Sequence, residues 1–551
     1  MNATATSGID GAIVPAIPAL LPFRLKLAVK PNAYVGTLGV FLGAGIATLS
    51  GRLLSVGLPD LRGALGLGVD EAAWLPTAYN MALMFMGPFS VYLGGLLGVR
   101  RVLLATAPIF IVASILLPLS PNLTVMLALQ AIAGISSGTF YPLTMTYALR
   151  NLPLRYTIYG IGVYSMDILP ATAGAVPLEA WFTEHLSWRW IFWISSLLTV
   201  LMVACVYRAI PHPPPRTGPK PAISWRGFLY ASVGLSLIYG ALDQGERLNW
   251  LQSGTIVAML AAGGFLIAAA IVRRWFSPNP LVNIPYLGQR NTLILGGSLF
   301  SFRFVLLAIA LLVPAFLGAI QGYRPLETGR VLLWVGGPQL VVGIITAWLM
   351  RRMDSRLILA IGFAIVAAAC LMNTQLTSAW AGDNFWTSQL VIGTGLSVTF
   401  VAMVGSIVQQ ATNSGALSTP IYALSYSAFI HMIRLFGGEV GTAFMQRLVS
   451  VREQFHSNLI GLHVQAGNWL TDDRLRMLTG GVTANSTGVD EAQQRSAALL
   501  GGQIRQQAYT LAYMDGFMVI AWLCVGMIVL IACLRPMKIF FDSESPKAPG
   551  S

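Results

Sequence analysis

Long apolar runs constrain this chain more than any other feature of its sequence. They recur along all 551 residues, separated by short turns rich in charge, Pro or Gly. A helix needs roughly 20 apolar residues to cross a bilayer, and the runs lack the alternation of a membrane β-barrel. Only 10% of residues are charged, against roughly 25% in soluble domains. The sequence therefore predicts an all-α, polytopic membrane protein.

Fourteen runs are long and apolar enough to be spanning helices. They lie near 34–58, 73–97, 102–119, 123–148, 157–182, 188–207, 227–243, 254–272, 292–319, 328–350, 357–377, 386–409, 423–447 and 514–534. The turns after the second run (97–104) and the tenth (350–359) both pair adjacent arginines with a following Leu-rich segment. Such a repeat indicates two related halves of six helices each, flanking a central pair.

The resulting domain prediction has five parts. They are a cytoplasmic tail (1–33), a six-helix bundle (34–208), a central two-helix insertion with cytoplasmic linkers (209–290), a six-helix bundle (291–535) that includes a periplasmic loop (450–513), and a cytoplasmic tail (536–551). The loop is polar but contains two helical stretches, near 472–478 and 490–507, so we expect it to be partly ordered.

Charge excludes some classes of function. The net charge of +13 is distributed between apolar runs rather than on a polar face, which argues against nucleic-acid binding. Most loop Lys and Arg fall on the side of both termini, which predicts that both termini are cytoplasmic.

The four cysteines lack metal-site spacing, and no P-loop or catalytic constellation is present. We expect no enzyme activity, no metal and no cofactor.

Several short motifs point to one family. They are Val56-Gly57-Leu58-Pro59, Ser187-Trp188-Arg189-Trp190-Ile191-Phe192, Leu242-Asp243-Gln244-Gly245, Asn279-Pro280-Leu281-Val282, and Arg434 with Gly437 and Gly441. Together they resemble the major facilitator superfamily, and more narrowly its fourteen-span drug:proton antiporters of the EmrB type. The resemblance implies a major-facilitator fold and a bacterial inner-membrane location. Gln130 stands where the family has a buried arginine in the fourth span, and Ser50 where it has an acidic residue in the first.

Ionisable residues inside apolar runs are the main candidates for function, because charge at membrane depth usually faces an internal cavity. Arg52 and Arg303 would form a cationic pair related by the repeat, and Asp167 and Glu439 an acidic pair. The family places the first and fourth helices of each half around the cavity, which adds Gln130 and Gln389 to the expected substrate and proton pathway. The alternative is that these charges form static salt bridges between helices.

Other residues suit gating or packing. Arg100 and Arg101 match the basic half of the family's loop motif, while Arg434, Gly437 and Gly441 favour close helix packing. His431 is interpreted as a packed histidine. Asp243 and Glu179 are interpreted as solvated charges at helix ends.

The sequence thus predicts a secondary transporter in contact with membrane lipids, most simply a proton-coupled exporter of drugs or toxic amphipathic compounds. Resemblance to EmrB-type pumps implies a periplasmic adaptor protein and an outer-membrane channel as partners. Two alternatives stay open: an exporter of one anionic metabolite, such as a fatty or aromatic acid or a siderophore, and a membrane scaffold or sensor that does not transport.

Overall fold

The computed structural model describes residues 33–151, 154–210, 225–275, 288–413, 420–465, 467–483 and 488–536. Both predicted tails and most of the two linkers of the central insertion lie outside these residues. The described ranges form seventeen α-helices. They are α1 (Ala33–Val56), α2 (Leu58–Leu65), α3 (Val69–Leu97), α4 (Val99–Leu116), α5 (Leu123–Ser137), α6 (Phe140–Asn151), α7 (Leu154–His185), α8 (Trp190–Ala209), α9 (Trp225–Gly245), α10 (Gly254–Trp275), α11 (Arg290–Gln321), α12 (Pro325–Leu349), α13 (Ser355–Asn373), α14 (Trp386–Asn413), α15 (Pro420–Gly461), α16 (Trp469–Thr483) and α17 (Val489–Ala532).

Within the described residues, twelve spans are long and apolar enough to cross a membrane, with α5 and α6 forming one of them. Two further long helices, α9 and α15, are too polar for that criterion because they carry ionisable side chains into the bundle. Both pack along membrane-crossing neighbours, α9 against α3 and α15 against α11. The prediction of an all-α protein with about fourteen spanning helices is confirmed.

The fourth span is broken between α5 and α6. Pro142 has no N–H to donate to the carbonyl four residues earlier, so the helix cannot continue regularly through this point. Thr139 compensates by donating its hydroxyl to the Ser136 carbonyl (2.8 Å), and its oxygen lies 2.9 Å from that of Thr106 on α4. The break is therefore held in place by side-chain hydrogen bonds.

Two hydrophobic cores organise the helices into two bundles. One core is built mainly from α1 to α8, and the other mainly from α11 to α15 and α17. We call the face where α1 begins and α17 ends the terminal face, and the opposite face the loop face.

The bundles meet along two lines, α7 against α12 and α3 against α15. At the first, Gly162 and Gly343 pack backbone to backbone: a Cβ added to either would lie 2.8–2.9 Å from the carbonyl oxygen of the other. Near the terminal face, Thr146 of α6 donates to Ser427 of α15 (3.0 Å). These contacts close the terminal-face side of the molecule.

The central pair, α9 and α10, forms an antiparallel hairpin beside the bundles. Gly234 and Gly263 allow its two helices to touch, since a Cβ on either would lie 2.9 Å from the carbonyl oxygen of the other. The helix α9 packs on α3 and, less extensively, on α15. In contrast, only 11% of the α10 span is buried, so α10 is the more peripheral of the two.

A helical projection extends from the loop face. It consists of the end of α15, the separate helix α16 and the beginning of α17, so the prediction that the 450–513 loop contains helical structure is confirmed. Thr479 donates to Ser496 (2.9 Å), which fastens α16 to α17. At the base of the projection, Asp515 accepts from Arg452 (2.6 Å) and lies 2.7 Å from the His456 ring nitrogen.

Candidate functional site

A cavity of about 530 Å³ lies between the two bundles. Seven helices contribute to its wall: α1, α3, α7, α9, α11, α12 and α15. Most lining residues fall in the parts of these helices nearer the loop face. Because the bundles touch at Thr146 and Ser427 near the terminal face, the cavity belongs to the loop-face half of the molecule.

Three arginines line this cavity: Arg52 from α1, Arg303 from α11 and Arg434 from α15. Arg303 and Arg434 are only 5% and 4% exposed, respectively. Each of the three has one buried guanidinium nitrogen that makes no hydrogen bond in the described structure. No ion pair within 4 Å joins any of them to a described carboxylate. Buried donors without partners are costly, so this cluster is suited to receiving an acceptor from a ligand.

Arg434 links the two bundles at the cavity floor. Its guanidinium lies 4.2 Å from the ring centroid of Tyr141 on α6, and it donates to Thr48 on α1 (3.2 Å). Its own carbonyl accepts from Arg303 (3.1 Å). The His431 ring stacks on the same tyrosine at 5.0 Å, fully buried, as expected of a packed histidine. Through these contacts Arg434 joins the two bundles. The sequence predicted only a helix-packing role for it, from the glycines that follow it.

Two carboxylates approach each other on the cavity wall. Glu439 of α15 is 7% exposed, and the side chains of Asp243 and Tyr239 from α9 lie beside it. Thr77 of α3 donates a hydrogen bond to Asp243, as does Gln244 (3.2 Å). The interpretation of Asp243 as a solvated helix-end charge is therefore wrong: α9 turns this residue inward. The sequence signal that could have located it is the one-turn spacing from Tyr239, which places both on one helix face.

An apolar wall completes the cavity. It is supplied mainly by one face of α11, with Leu307, Ala310, Leu311, Pro314 and Ala315 following each other at helical spacing. The cavity therefore combines a charged floor and side with an apolar surface, which suits an amphipathic molecule.

Gln130 lies away from this cavity. It is 2% exposed and lines a separate space of about 20 Å³ inside the first bundle, together with Ser50 and Ser195. Ser50 donates to Ser195 (2.8 Å). The reason is geometric: Gly134, one turn further along α5, packs directly on the α3 backbone and turns Gln130 inward. Thus the two positions where the family has opposite charges are occupied here by neutral residues that share one pocket.

Gln389 also lies outside the large cavity. It is fully buried and lines a space of about 30 Å³ that Arg52, Thr172 and Ala310 share with the large cavity. Its amide donates to Ser388 (3.4 Å). Arg52 thus lines both spaces, whereas Gln389 lines only the smaller one.

The remaining predicted residues have different surroundings. Asp167 belongs to α7, but its side chain lies outside the described residues. Glu179 is fully buried next to Asp60, so its interpretation as a solvated charge is wrong. Arg100 donates to the Ile210 carbonyl at the end of α8 and stacks on Tyr207 at 5.1 Å.

Arg101 is exposed at the terminal face. Gly437 and Gly441 lie against α11, where an added Cβ would come within 2.8 Å and 2.6 Å of the Phe300 and Phe304 carbonyl oxygens. Their seam therefore lies inside the second bundle and not between the bundles.

Comparisons with known proteins agree with this architecture. The family model of the Major Facilitator Superfamily matches residues 40–441. The chain is 23% identical over 511 residues to the multidrug export protein EmrB of Haemophilus influenzae, covering 91% of this chain and 95% of that one. It is 24% identical over 483 residues to the colistin resistance protein EmrB of Acinetobacter baumannii, covering 86% and 91%.

Among solved structures, the proton:xylose symporter XylE bound to 6-bromo-6-deoxy-D-glucose has the same fold. It superposes with a TM-score of 0.52 at 12% identity, covering 89% of this chain and 94% of the symporter. The two-bundle arrangement, the cavity between the bundles and the match to the family model lead to one conclusion. The chain belongs to the major facilitator superfamily, as a divergent relative of EmrB-type export proteins.

Proposed function

We propose that this protein is a secondary active transporter that exports amphipathic organic compounds by alternating access, driven by the proton gradient. The cavity between the bundles is the observation that carries this proposal, because it combines apolar surface with ionisable side chains at membrane depth. Its closure at the terminal face fits one end state of a cycle in which the two bundles rock against each other.

Proton coupling needs a carboxylate that is reached from the cavity. Ser50 and Gln130 leave the first bundle without the charges that the family uses there. Glu439 lines the cavity within electrostatic range of Arg52. We therefore assign proton exchange to Glu439, with Arg52 as the cation that stabilises its ionised form. Asp167 remains a second candidate from the sequence.

The arginine cluster favours one class of substrate. Three arginines and two carboxylates line the described cavity, and the arginines have guanidinium nitrogens without hydrogen-bond partners. Guanidinium groups bind carboxylates through charge-assisted hydrogen bonds. An anionic amphipath, with its carboxylate on Arg303 and Arg434 and its apolar part on α11, therefore fits better than a cation.

We further propose that the terminal face is cytoplasmic and that the membrane is the bacterial inner membrane. The loop-face projection then lies in the periplasm, where its exposed helices provide a surface for an adaptor protein that leads to an outer-membrane channel. The relatives named above include a multidrug export protein, which supports outward transport, and the helical projection supports the docking role.

Transport in proteoliposomes tests the proposal. Purified protein is reconstituted with an imposed proton gradient, and the movement of decanoate and of ethidium is followed separately. We expect gradient-driven movement of decanoate that Glu439→Gln abolishes and that Asp383→Asn, an exposed carboxylate on the loop face, leaves intact. Movement of ethidium in preference to decanoate would overturn the anionic assignment. Absence of any gradient-driven flux would overturn transport and favour a scaffold.

A further inference from the structure

The central helix α9 fills a gap between the bundles. Near the terminal-face half of the contact, α3 and α15 touch directly, and a Cβ added to Gly87 would lie 2.9 Å from Met432. Toward the loop face the space between them is occupied by α9, whose Tyr239 and Asp243 reach the cavity. The central pair is thus part of the cavity wall.

Polar contacts fasten α9 to α3 along three turns. Ser236 donates to the Met81 carbonyl (2.8 Å), Gln244 donates to the Ala73 carbonyl (3.1 Å), and Thr77 donates to Asp243. Beyond the end of the helix, Arg247 forms an ion pair with Asp70 (2.5 Å) and lies over the Trp74 ring. These contacts hold α9, and Asp243 with it, to the first bundle.

By contrast, α9 and the turn after it meet the second bundle at few polar points among the described residues. They are the approach of Asp243 and Tyr239 to Glu439, and an ion pair between Glu246 and Arg447 at 3.7 Å whose arginine is 54% exposed. Exposed pairs of this kind contribute little. Separation of α3 from α15 would therefore pull Asp243 away from Glu439 while leaving its contacts with α3 intact.

We propose that Asp243 is a second proton-binding residue of the transport site, and that it holds one proton jointly with Glu439 only while α9 and α15 are in contact. Two carboxylates that share one site repel each other when both are ionised, and a shared proton removes that repulsion. Loss of the proton then drives α9 and α15 apart. The inference rests on the proposed function, since it makes the central helix a coupling element of the same transport cycle.

Other charged groups face this pair and set the range over which it responds. Arg52 comes from α1, Arg303 from α11, Tyr239 from α9 and Arg247 from the turn after α9; Arg434 and Arg447 come from α15, and Asp70 of α3 acts through Arg247. The arginines on the cavity attract the two carboxylates, and an anionic substrate would bind the same arginines. Substrate and proton therefore interact through the same cluster.

A distance measurement without any substrate tests the inference separately from transport. Spin labels are placed at Leu251→Cys, after α9, and Val451→Cys, on α15, two exposed positions on the loop face. The exposed Cys533 is replaced by Ser, and the other three cysteines are buried. The label distance is measured in lipid nanodiscs across a pH series from mildly acidic to mildly alkaline.

We expect a longer α9 to α15 distance as the pH rises, and loss of that shift in Asp243→Asn and in Glu439→Gln. Asp243→Glu should restore it, and the exposed control Asp383→Asn should leave it unchanged. A shift that persists in Asp243→Asn, or an absent shift in the parent protein, overturns the inference. Since the measurement uses no substrate, failure of decanoate flux with an intact pH shift would instead contradict the proposed function.

Discussion

At the scale of single residues, the proposed carboxylate site depends on the guanidinium groups that line the cavity. Arg434 is held by Tyr141 and Thr48, so its charge is fixed in position rather than carried by a mobile side chain. Fixed donors lose little conformational freedom when a ligand arrives. The affinity for a carboxylate therefore depends on this residue more than on any solvated arginine.

Replacement of Arg434 by Gln should weaken decanoate binding by about tenfold or more, because a charge-assisted hydrogen bond contributes about 1.5–3 kcal/mol. Equilibrium binding of decanoate to the purified protein measures the effect. Arg476→Gln on the exposed surface of α16 is the matched control. Binding that is equally weakened in both variants would contradict the role of the cavity arginine.

A second residue-scale prediction concerns a helix cap at the terminal face. Asp354 accepts from the Arg356 N–H (2.9 Å) and pairs with the Arg356 guanidinium (2.6 Å), which keeps the pKa of Asp354 below its usual range. A lowered pKa in the folded state contributes stability above the pKa of the unfolded chain, and that stability is lost as pH falls through the folded value.

We therefore expect Asp354→Asn to lower the free energy of unfolding by about 0.5 kcal/mol at neutral pH, because asparagine still caps the helix but cannot form the partly exposed ion pair with Arg356. The difference from the parent protein should shrink below about pH 4, where aspartate is protonated in the unfolded chain. Thermal unfolding in detergent at both pH values measures it. A difference independent of pH would show that the carboxylate charge has no part in the cap.

For charges deep inside apolar runs, the sequence predicts a position on an internal cavity, and their role in transport stays a prediction. Arg52, Arg303 and Glu439 are candidates because charge at membrane depth usually faces an internal cavity, and all three line the cavity. Asp243 was missed because it closes a predicted span, where a charge normally meets water. Its inward direction depends on the packing of α9 against α3, which no local pattern records.

At the scale of helices, close glycine contacts separate two kinds of seam. Gly343 meets Gly162 across the bundles, whereas Gly437 meets Phe300 inside one bundle. The first seam must open if the terminal face is to admit substrate, and the second need not change. Close glycine contacts thus have different consequences in the two places.

A bulky residue at the first seam should hold the terminal face open. We expect Gly343→Leu to raise the rate of maleimide labelling at Ser427→Cys, a position that is fully buried in the closed contact. Gly437→Leu should lower the thermal stability but leave labelling of Ser427→Cys slow. Equal labelling in the two variants would show that Gly343 has no specific part in closing this face.

Helix positions followed from apolar runs, but helix ends in the second bundle did not. The thirteenth span was predicted to end near 447, yet α15 continues to Gly461, and α17 begins at Val489, well before its apolar run. Both extensions are polar, so hydropathy marks only their membrane portions. Their helical form outside the membrane is stabilised by mutual packing, as between Arg452 and Asp515.

At the scale of the whole molecule, the projection and the transport cavity are separate parts. The projection is formed by the ends of α15 and α17 with α16, and no described residue beyond 446 lines the large cavity. Function across the cell envelope and function across one membrane should therefore respond differently to its removal.

We expect a variant in which residues 464–503 are replaced by a short Gly/Ser linker to retain decanoate transport in proteoliposomes. The same variant should lose its ability to protect growing cells from decanoate, because adaptor docking is removed. Flux assays on the purified variant and growth assays on cells that express it measure the two effects. Retention of protection in cells would contradict the docking role of the projection.

The arrangement of the bundles was predictable in outline from the repeated arginine turns. The position of the central pair was not predictable, because the apolar runs of α9 and α10 do not indicate which helices they pack against. Gln130 and Gln389 illustrate the same limit, because helix packing places their side chains in smaller spaces and not in the large cavity.

The position of α9 between α3 and α15 affects the route by which a substrate leaves the cavity. Along one line of contact between the bundles α9 covers the loop-face gap, and along the other α7 and α12 stay in contact as far as Pro177 and Gly329. Among the described residues, both flanks of the cavity are therefore lined by helices in contact. We therefore expect an apolar substrate that leaves the cavity in this state to enter the water at the loop face. A protein docked on that face would then contact the substrate before the bilayer does.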